Sequence, residues 1–280
     1  MCEEQVAEAY LQVLGRLPDE SGLRTYTRCA NRRGIEAVIR RLKNSEEYRF
    51  KQAYNPAPFN EFIEKQTEIL KDESFTMSQD ATKCAVIVEG RTFETLTTLV
   101  KLTLRYLPHD WGLMVICPIH NLEYNKNKLA DIQNVVYKTV ESLETVEDYN
   151  NLLLSLYFWE TLLAKVKHAL IFQTDSFLLR RGIDSFLDYD YIGARIPCGK
   201  VMNGGLSLRK TETMKDILKK YSPCKYENED VFFSRCIEKF PSTLEQDSFS
   251  VEQCVVDTQP LGVHKAWFYN RKTYCGHFEV

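Results

Sequence analysis

The sequence lacks the features that mark membrane proteins and nucleic-acid-binding proteins. No apolar run approaches the roughly 18 uncharged residues that a membrane-spanning helix needs, and the first residues do not show the basic and then apolar pattern of a signal peptide. A formal net charge of -3 and a pI near 6.0 provide no basic field for a nucleic-acid backbone. We therefore expect a soluble, cytoplasmic protein with no membrane span and with no nucleic acid among its partners.

Paired cysteines and the common nucleotide-binding signatures are also missing. The chain has nine cysteines, an odd number, and none is arranged as CxxC, so neither a zinc knuckle nor a disulfide framework is indicated. Neither G-x-G-x-x-G nor G-x-x-x-x-G-K-S/T occurs. These absences remove the main support for a dinucleotide-binding or P-loop protein, and they favour reduced thiols in a cytosol-like compartment.

About the first fifty residues have the apolar spacing of short helices. Val6, Tyr10 and Leu14 recur at helical intervals, and the pattern resumes from Leu23 and again from Ile35. Two or three short helices packed on one another would bury these positions. The sequence therefore predicts a small helical module at this end of the chain.

Part of this module matches a known sequence pattern. Residues 9–19 (AYLQVLGRLPD), followed by Gly22 and by SEEY at 45–48, resemble a small helical module of unknown function that is appended to bacterial surface proteins and to glycosyltransferases. The resemblance implies packing or contact with a protein partner. A purely structural interpretation, in which Gly15 and Gly22 end helices, explains the same residues.

A change in composition separates this module from the rest of the chain. Residues 51–82 contain NPAP at 55–58 and an amphipathic stretch at 59–70, which is typical of a linker that includes one helix. We therefore predict a helical N-terminal module with its linker over residues 1–75, and a second domain over residues 76–280.

From residue 84 onwards the sequence alternates between strands and helices. Short apolar runs at 85–88, 113–116, 135–137 and 169–172 are separated by helical segments, which is the pattern of a Rossmann-type sheet with parallel strands. An alternating strand at 203–209 follows, with further helices. The prediction is an α/β fold in which helices flank a mixed sheet, preceded by a small all-helical domain.

The fourth of these strands ends in a carboxylate. Residues 169–172 are an unbroken apolar run, and QTDS follows at 173–176. Ligands of open α/β sheets bind at the carboxyl ends of the strands, so Asp175 is placed where a metal ion or a phosphate-bearing substrate would be met. The alternative is an aspartate that caps the next turn or helix.

Five segments follow one another in order over residues 83–270. They are the strand end Val88-Glu89, QTDS at 173–176, NGGLSLR at 203–209, NEDVFF at 228–233 and GVHKAW at 262–267. Together with FW at 158–159 and YDYIGA at 189–194, they resemble a family of predicted glycosyltransferases of the GT-A type, long catalogued as a domain of unknown function. The resemblance implies a GT-A-like fold and a nucleotide-sugar donor.

The same resemblance implies a divalent metal ion, Mn²⁺ or Mg²⁺, that stabilises the leaving diphosphate. In GT-A enzymes a D-x-D-like pair of acids usually holds this ion, but here only Asp175 remains of the pair, so diphosphate oxygens and water would supply most ligands. His264 stands where several GT-A families have a late histidine ligand, and Mn²⁺ accepts an imidazole. A structural role for His264 is the alternative.

Asp230 is the candidate catalytic base by the same resemblance, with Glu229 beside it as a second catalytic candidate. In inverting GT-A enzymes a carboxylate of an x-E-D motif takes the proton of the acceptor hydroxyl while that oxygen attacks the anomeric carbon, and NED at 228–230 fits. The alternative is an acidic cluster that stabilises the start of a helix through its dipole. In that case a retaining mechanism remains open.

The resemblance also assigns residues to the two substrates. The nucleotide-binding candidates are Val88, Glu89, Arg91, Thr174, Asp175, Ser176 and Lys265. The candidates for binding the acceptor or the sugar are Asn203, Gly204, Gly205 and Arg195. The glycines would let the backbone approach a sugar closely, although a tight turn before a strand would use them as well.

The predicted function is therefore metal-dependent transfer of a sugar from a nucleotide sugar, with a UDP-sugar as the first choice, to a hydroxyl of a glycan or another acceptor, with inversion. Two alternatives remain. Because only one acid of the usual metal-binding pair is present, the first alternative is a catalytically inactive scaffold that still binds nucleotide sugar. The second is a nucleotidyltransferase, which uses the same metal and diphosphate chemistry. Protein contact through the N-terminal helices is a further expectation.

Overall fold

The structure, a computed structural model, describes residues 3–18, 20–45, 47–48, 57–196, 200–225, 227–252 and 259–265. These residues form two compact units. The smaller unit contains the described residues up to position 48 together with 223–225 and 227–228, and the larger unit contains the others. Asp19 and Glu46 of the N-terminal motif, and Ala266 and Trp267 of the last segment, lie outside the described residues.

Three helices build most of the smaller unit: α1 (Glu3–Leu14), α2 (Glu20–Arg33) and α3 (Ile35–Lys43). Their apolar faces meet in one core, which confirms the predicted helical module. The buried core residues are Val6, Ala9, Tyr10, Leu14, Leu23, Cys29, Ala30, Val38 and Leu42. Gly15 follows α1 with a φ of 63°, the left-handed conformation with which many helices end. Gly22 lies within α2, so the expectation that it ends a helix is wrong.

The larger unit alternates helices and strands. In chain order its elements are α4 (Ala57–Leu70), β1 (Phe75–Thr76), β2 (Lys83–Val88), α5 (Leu96–Leu104), β3 (Trp111–Pro118), α6 (Leu122–Lys128), β4 (Ile132–Gln133), β5 (Val135–Val140), α7 (Val146–Leu153), β6 (His168–Phe172), β7 (Ser176–Leu178), β8 (Tyr191–Arg195), β9 (Met202–Lys210), α8 (Thr211–Lys220), α9 (Glu229–Cys236), α10 (Thr243–Phe249), β10 (Ser250–Val251) and β11 (Gly262–His264). Single 3-10 turns at Ile119–Asn121 and Ile183–Phe186 and a π-helical segment at Tyr157–Leu162 complete the set.

The central sheet has six strands in the order β5-β3-β2-β6-β9-β8. The first four are parallel, as predicted, whereas β9 is antiparallel to β6 and β8 is antiparallel to β9. Alternate residues of β2 enter hydrophobic clusters on opposite faces of the sheet, Ala85 and Ile87 in one and Val86 and Val88 in the other. Burial on both faces explains why these strands are continuous apolar runs in the sequence. The predicted mixed α/β sheet flanked by helices is confirmed.

The order of the strands creates a crevice at one edge of this sheet. From β2 the chain proceeds to β3 and β5 on one side, and it then returns to β6 on the other side of β2. At such a reversal the connections after neighbouring strands leave in opposite directions, which opens a ligand site at the carboxyl ends of those strands. Here the crevice lies after β2 and β6.

A second, three-stranded sheet has the order β10-β11-β7. Strand β11 runs antiparallel to β7, with His264 opposite Ser176, and parallel to β10, with Val263 opposite Val251. This pairing brings the end of the described chain beside the residues that follow β6.

Helix α4 belongs to the larger unit. Its Phe62 ring stacks on Phe177 of β7 with ring centroids 5.4 Å apart, and the hydroxyls of Thr67 and Thr98 lie 2.7 Å apart between α4 and α5. The predicted boundary at residues 75/76 assigned this amphipathic helix to the N-terminal module. In the structure it covers α5 and the three-stranded sheet, because its apolar face is buried there.

The helical segment between β5 and β6 is divided into α7 and the π-helical segment. The indole N–H of Trp159 donates to the carbonyl oxygen of Leu153 at 2.7 Å. A side chain thus provides the hydrogen bond for a backbone carbonyl at the end of α7. Trp159 is fully buried. Among all described residues, no helix is both long enough and apolar enough to cross a bilayer.

Candidate functional site

A cleft of about 390 Å³ lies at the carboxyl ends of β2 and β6. Six of the seven residues predicted to bind the nucleotide line it: Val88, Glu89, Arg91, Thr174, Asp175 and Lys265. The seventh, Ser176, is buried, and its hydroxyl lies 2.9 Å from the carbonyl oxygens of Gln173 and Gly205. The structure therefore gathers residues that are far apart in sequence into one concave surface.

An arginine spans the mouth of this cleft from β2 to β6. The guanidinium of Arg91 donates to both carboxylate oxygens of Glu89, each at 2.9 Å, and to the hydroxyl of Thr174 at 3.2 Å. The hydrogen bond to Glu89 raises the pKa of Arg91. The Arg91 side chain is 67% exposed whereas Glu89 is buried, so the arginine presents a fixed positive charge at the cleft surface.

Asp175, which lines the cleft, lies beside the buried His264. Because His264 pairs with Ser176 across β11 and β7, its Nε2 atom lies 3.2 Å from Oδ1 of Asp175. Neither atom makes a hydrogen bond of good geometry with the described residues. The His264 side chain is almost fully buried and the Asp175 side chain is 28% exposed towards the cleft. A carboxylate oxygen and an imidazole nitrogen thus face each other without a hydrogen bond between them.

The electrostatic environment keeps Asp175 negative. Burial alone raises its pKa, but the neighbouring His264 and Lys265 outweigh burial and lower the pKa of Asp175 to about 2. Burial lowers the pKa of His264, and the negative charge of Asp175 reverses this and raises that pKa above its usual value. Lys265 has a φ of 50°, unusual for a residue with a side chain, and its backbone N–H donates to the Asp175 carbonyl at 3.0 Å.

The Asp175 and His264 atoms fit a divalent ion in kind and in spacing. Carboxylate oxygen and imidazole nitrogen suit Mn²⁺, and adjacent ligands of an octahedral ion with bonds of about 2.1 Å are about 3.0 Å apart, close to the 3.2 Å separation found here. Within the described ranges, no three His, Cys, Asp or Glu side chains converge on one point. A metal ion at this place would therefore take its other ligands from substrate and water.

Glu252, which the sequence analysis missed, lies behind His264. Its carboxylate is buried, and its Oε1 atom is 3.8 Å from Nδ1 of His264. Glu252 directly follows the short strand β10. The strand before Glu252 has only two residues, Ser250 and Val251, so it lacks the apolar run that drew attention to Asp175.

Asp230 lies beside these residues, at the start of α9. The backbone N–H of Gly204 donates to its Oδ2 at 3.2 Å, and that of Val231 donates to its Oδ1 at 2.8 Å. Burial, with the negative charge of Glu229 added, raises the pKa of Asp230 to about 7. A half-buried carboxylate of this kind gains and loses a proton near neutral pH, as a general base must.

Glu229 is engaged differently, although it is adjacent in the sequence. Arg209 of β9 donates to both Glu229 oxygens, at 2.5 and 3.0 Å, and its guanidinium lies over the ring of Tyr191, 4.6 Å from the centroid. Both members of the pair are buried. Of the two acids predicted to be catalytic, Glu229 thus anchors the start of α9, and Asp230 is the acid without an arginine partner among the described residues.

The two glycines between these groups are required by close packing. A Cβ atom on Gly204 would lie 2.3 Å from a carboxylate oxygen of Glu229, and one on Gly205 would lie 2.3 Å from Nε2 of His264. Consecutive residues therefore contact the Asp230 region and the His264 region, which places the two parts of the site next to each other. The predicted contact of these glycines with a sugar stays a prediction.

The remaining acceptor candidates are held by other residues. Arg195 donates to both carboxylate oxygens of Asp247 in α10, at 2.9 and 3.1 Å, and the side-chain oxygen of Asn203 accepts from the Gly205 N–H at 2.7 Å. Tyr149 of α7, in contrast, lines the cleft. Its buried hydroxyl makes no hydrogen bond of good geometry with the described residues.

Replacing Arg209 by methionine is expected to lower the free energy of unfolding by about 3 to 5 kcal/mol, because it leaves the Glu229 carboxylate buried without its partner. Arg195→Met is the matched control. It breaks an equally bidentate pair, but the Arg195 and Asp247 side chains are 29% and 15% exposed, so a loss of about 1 kcal/mol is expected. Urea denaturation of both variants measures the difference, and equal losses would contradict the assignment.

Most of the site lies in a part of the chain that matches a protein-family model. Residues 132–264 match a family model described as a protein of unknown function (DUF5672). This range includes QTDS, NGGLSLR and NEDVFF, whereas Val88-Glu89 precedes it. No curated protein matches the chain.

Two solved structures similar to this chain are glycosyltransferases. GlyE of Streptococcus pneumoniae TIGR4 is 11% identical, with a TM-score of 0.43 over 65% of this chain and 54% of that chain. Mouse xyloside xylosyltransferase 1 is 9% identical, with a TM-score of 0.40 over 65% of this chain and 97% of that chain. The present chain therefore spans about half the length of GlyE.

Proposed function

We propose that the larger unit is a GT-A-type glycosyltransferase, which transfers a sugar from a nucleotide-sugar donor, a UDP-sugar, to a hydroxyl acceptor. One observation carries the proposal. Asp175 lines the cleft at the strand ends, Nε2 of His264 lies 3.2 Å from its carboxylate, and Gly204 and Gly205 connect this pair to a separate carboxylate, Asp230, whose pKa is raised to about 7. The order of the sequence segments supports the same assignment.

The donor end of the cleft suits a diphosphate. Lys265 and Arg91 supply positive charge at the cleft wall, while Asp175 and His264 would hold Mn²⁺ or Mg²⁺. Such an ion, when bound, neutralises the negative charge that develops on the departing diphosphate. Lys265 and Arg91 would orient the same phosphates through charge-assisted hydrogen bonds.

Asp230 would act on the acceptor. Its carboxylate takes the proton of the acceptor hydroxyl while the acceptor oxygen forms a bond to the anomeric carbon. The bond between that carbon and the diphosphate oxygen breaks at the same time, and the nucleoside diphosphate leaves with the electron pair. Attack from the face opposite the leaving group inverts the anomeric configuration.

A nucleotide-sugar-binding scaffold without turnover is the second candidate. The observation that favours it is the small set of protein ligands, since the described residues supply only Asp175 and His264 to one possible ion position. Donor binding without hydrolysis or transfer is the outcome that would identify a scaffold. Release of pyrophosphate from nucleoside triphosphates would instead identify a nucleotidyltransferase.

Titration calorimetry with UDP, with and without Mn²⁺, tests the proposal directly. We expect UDP to bind in the presence of Mn²⁺ and to lose at least about tenfold in affinity when the ion is removed by EDTA, because the negative Asp175 carboxylate would then face the diphosphate without a cation between them. CMP, which lacks a diphosphate, is the control ligand. A screen of UDP-sugars for hydrolysis and transfer follows, and failure of every nucleoside diphosphate to bind would exclude the proposal.

A further inference from the structure

We propose that Glu252 is a positioning residue for His264: it accepts a hydrogen bond from Nδ1–H and so presents the unprotonated Nε2 atom to a metal ion. This inference rests on the proposed function, because it assumes that Asp175 and His264 are metal ligands. Glu252 lies in none of the five sequence segments.

The first argument is the placement of the two side chains. Glu252 and His264 are 4% and 1% exposed, and Oε1 of Glu252 is 3.8 Å from Nδ1 of His264. Nδ1 of His264 and Oε2 of Glu252 make no hydrogen bond with described residues. A buried carboxylate oxygen without a hydrogen-bond donor is costly, and the imidazole nitrogen 3.8 Å from the other oxygen of Glu252 can supply a donor to this carboxylate.

The second argument is the way in which the sheet holds this arrangement. Val251 pairs with Val263, so Glu252 and His264 follow neighbouring parallel strands and lie side by side. On the other side, His264 is opposite Ser176, which turns its Nε2 towards Asp175. Gly205 closes the remaining space around the ring, since an added Cβ would lie within 2.6 Å of three ring atoms. The imidazole therefore has one nitrogen facing each carboxylate.

The third argument is the chemistry of the neutral imidazole, which has a single N–H. If the proton is on Nε2, that nitrogen has no free lone pair and cannot bind a metal ion. If the proton is on Nδ1, Nε2 has its lone pair available. A carboxylate that accepts the other N–H is the usual partner of a metal-binding histidine and sets both the tautomer and the ring orientation. The 3.8 Å contact must shorten to a hydrogen bond when an ion binds, and such contacts are often long in unliganded sites.

The experiment measures metal binding rather than turnover. Free Mn²⁺ is quantified by electron paramagnetic resonance in titrations of wild-type protein and of the Glu252→Ala, Glu252→Gln and His264→Ala variants, each with UDP present. We expect Glu252→Ala to weaken Mn²⁺ binding about 10- to 100-fold. Glu252→Gln keeps an acceptor oxygen of the same reach, so we expect it to restore most of the affinity. Glu123→Ala, which removes an exposed and remote carboxylate, should bind Mn²⁺ like the wild type.

Nitrogen-15 NMR of the histidine ring in the Mg²⁺-loaded wild-type protein adds a measurement that needs no variant. We expect the proton of His264 on Nδ1, and a proton on Nε2 would overturn the proposal even if Glu252→Ala fails to fold. If wild-type protein binds Mn²⁺ and Glu252→Ala binds it equally well, the positioning role is wrong and the metal site stands. If the wild-type protein and His264→Ala are equally unable to bind Mn²⁺, the metal site itself is wrong, and this proposal with it.

Discussion

Replacing Asp175 by alanine should abolish Mn²⁺-dependent UDP binding and reduce sugar transfer by about 10³-fold or more, equivalent to about 4 kcal/mol of transition-state stabilisation. The reason is that Asp175 provides the carboxylate oxygen at the candidate metal position, with Oδ1 at 3.2 Å from Nε2 of His264. With the carboxylate removed, one imidazole is left to hold the ion. Calorimetry with UDP and Mn²⁺ and a transfer assay measure the two effects.

The control for this variant is Asp110→Ala. Asp110 immediately precedes β3 at the opposite edge of the same sheet, and its carboxylate lies 2.7 Å from Nζ of Lys83. It is therefore an ion-paired aspartate far from the cleft, and we expect its removal to leave UDP binding and transfer unchanged. Asp175→Ala protein that stays folded and retains Mn²⁺-dependent UDP binding would show that Asp175 only caps the turn after β6.

The contribution of Asp175 to the stability of the fold should change with pH in a direction that follows from its pKa. Its pKa is lowered to about 2 in the folded protein, below the value of about 3.9 expected for an unfolded chain. The folded state therefore binds fewer protons than the unfolded state between these values, so the stability that Asp175 contributes is present above pH 4 and is lost as the pH falls through 2. Asp175→Ala should consequently reduce the Tm at pH 7 more than at pH 2.

Replacing Asp230 by asparagine should reduce transfer by about 10² to 10⁴-fold. Unlike Asp175→Ala, it should leave donor binding intact. Asparagine keeps the shape of the side chain and can still accept the Gly204 N–H, but it cannot take a proton from the acceptor. In the wild-type protein we expect the rate to rise with pH up to about 7 and then to level off, because the base acts in its ionised form and its pKa is about 7. The rate profile of the variant should lack this rise.

Stability provides an independent check on Asp230. Its pKa is raised in the folded protein, so between about pH 4 and pH 7 the folded state binds more protons than the unfolded state, and the free energy of unfolding decreases as the pH rises through this range. Asparagine removes this penalty, and the Tm of Asp230→Asn should exceed that of the wild type at pH 8. Loss of activity together with a gain in stability is characteristic of an acid kept at a cost for function.

Asp148→Asn is the matched control for a helix-capping acid. Asp148 is in the first turn of α7 and accepts from the N–H groups of Thr145 and Glu144, which lowers its pKa. Its replacement should reduce the Tm at pH 7 and leave transfer unchanged. If Asp230→Asn behaved in the same way as Asp148→Asn, Asp230 would be a cap, and a retaining mechanism would have to be considered.

The larger unit could be predicted well from the sequence for a specific physical reason. Strands buried on both faces of a parallel sheet appear in the sequence as short apolar runs, and β2, β3 and β6 are buried in this way. The edge strand β5 is only partly buried, but its first three residues gave a similar signal. The rule that ligands bind at the carboxyl ends of strands then placed Asp175 at the site, and the family resemblance added Glu89. The cleft found there includes both residues.

The sequence was less informative about α4. Its amphipathic period is clear, but amphipathicity shows only that one face is buried and not which surface buries it. The buried partners of α4 are Leu99, Leu102, Phe177 and Val263, all from the larger unit. The boundary therefore depends on contacts between residues that are distant in the chain.

By itself, then, the sequence determined the alternation of elements, the helical N-terminal unit and the acids that end the strands, because these follow from local patterns of burial. Only the tertiary structure decided how two adjacent acids differ: Arg209 from β9 pairs with Glu229, whereas burial and the charge of Glu229 raise the pKa of Asp230 to about 7. The same holds for His264, which meets Asp175 and Glu252 only because β11 lies between β7 and β10. The chemistry of each group depends on the charges around it, and folding sets which charges those are.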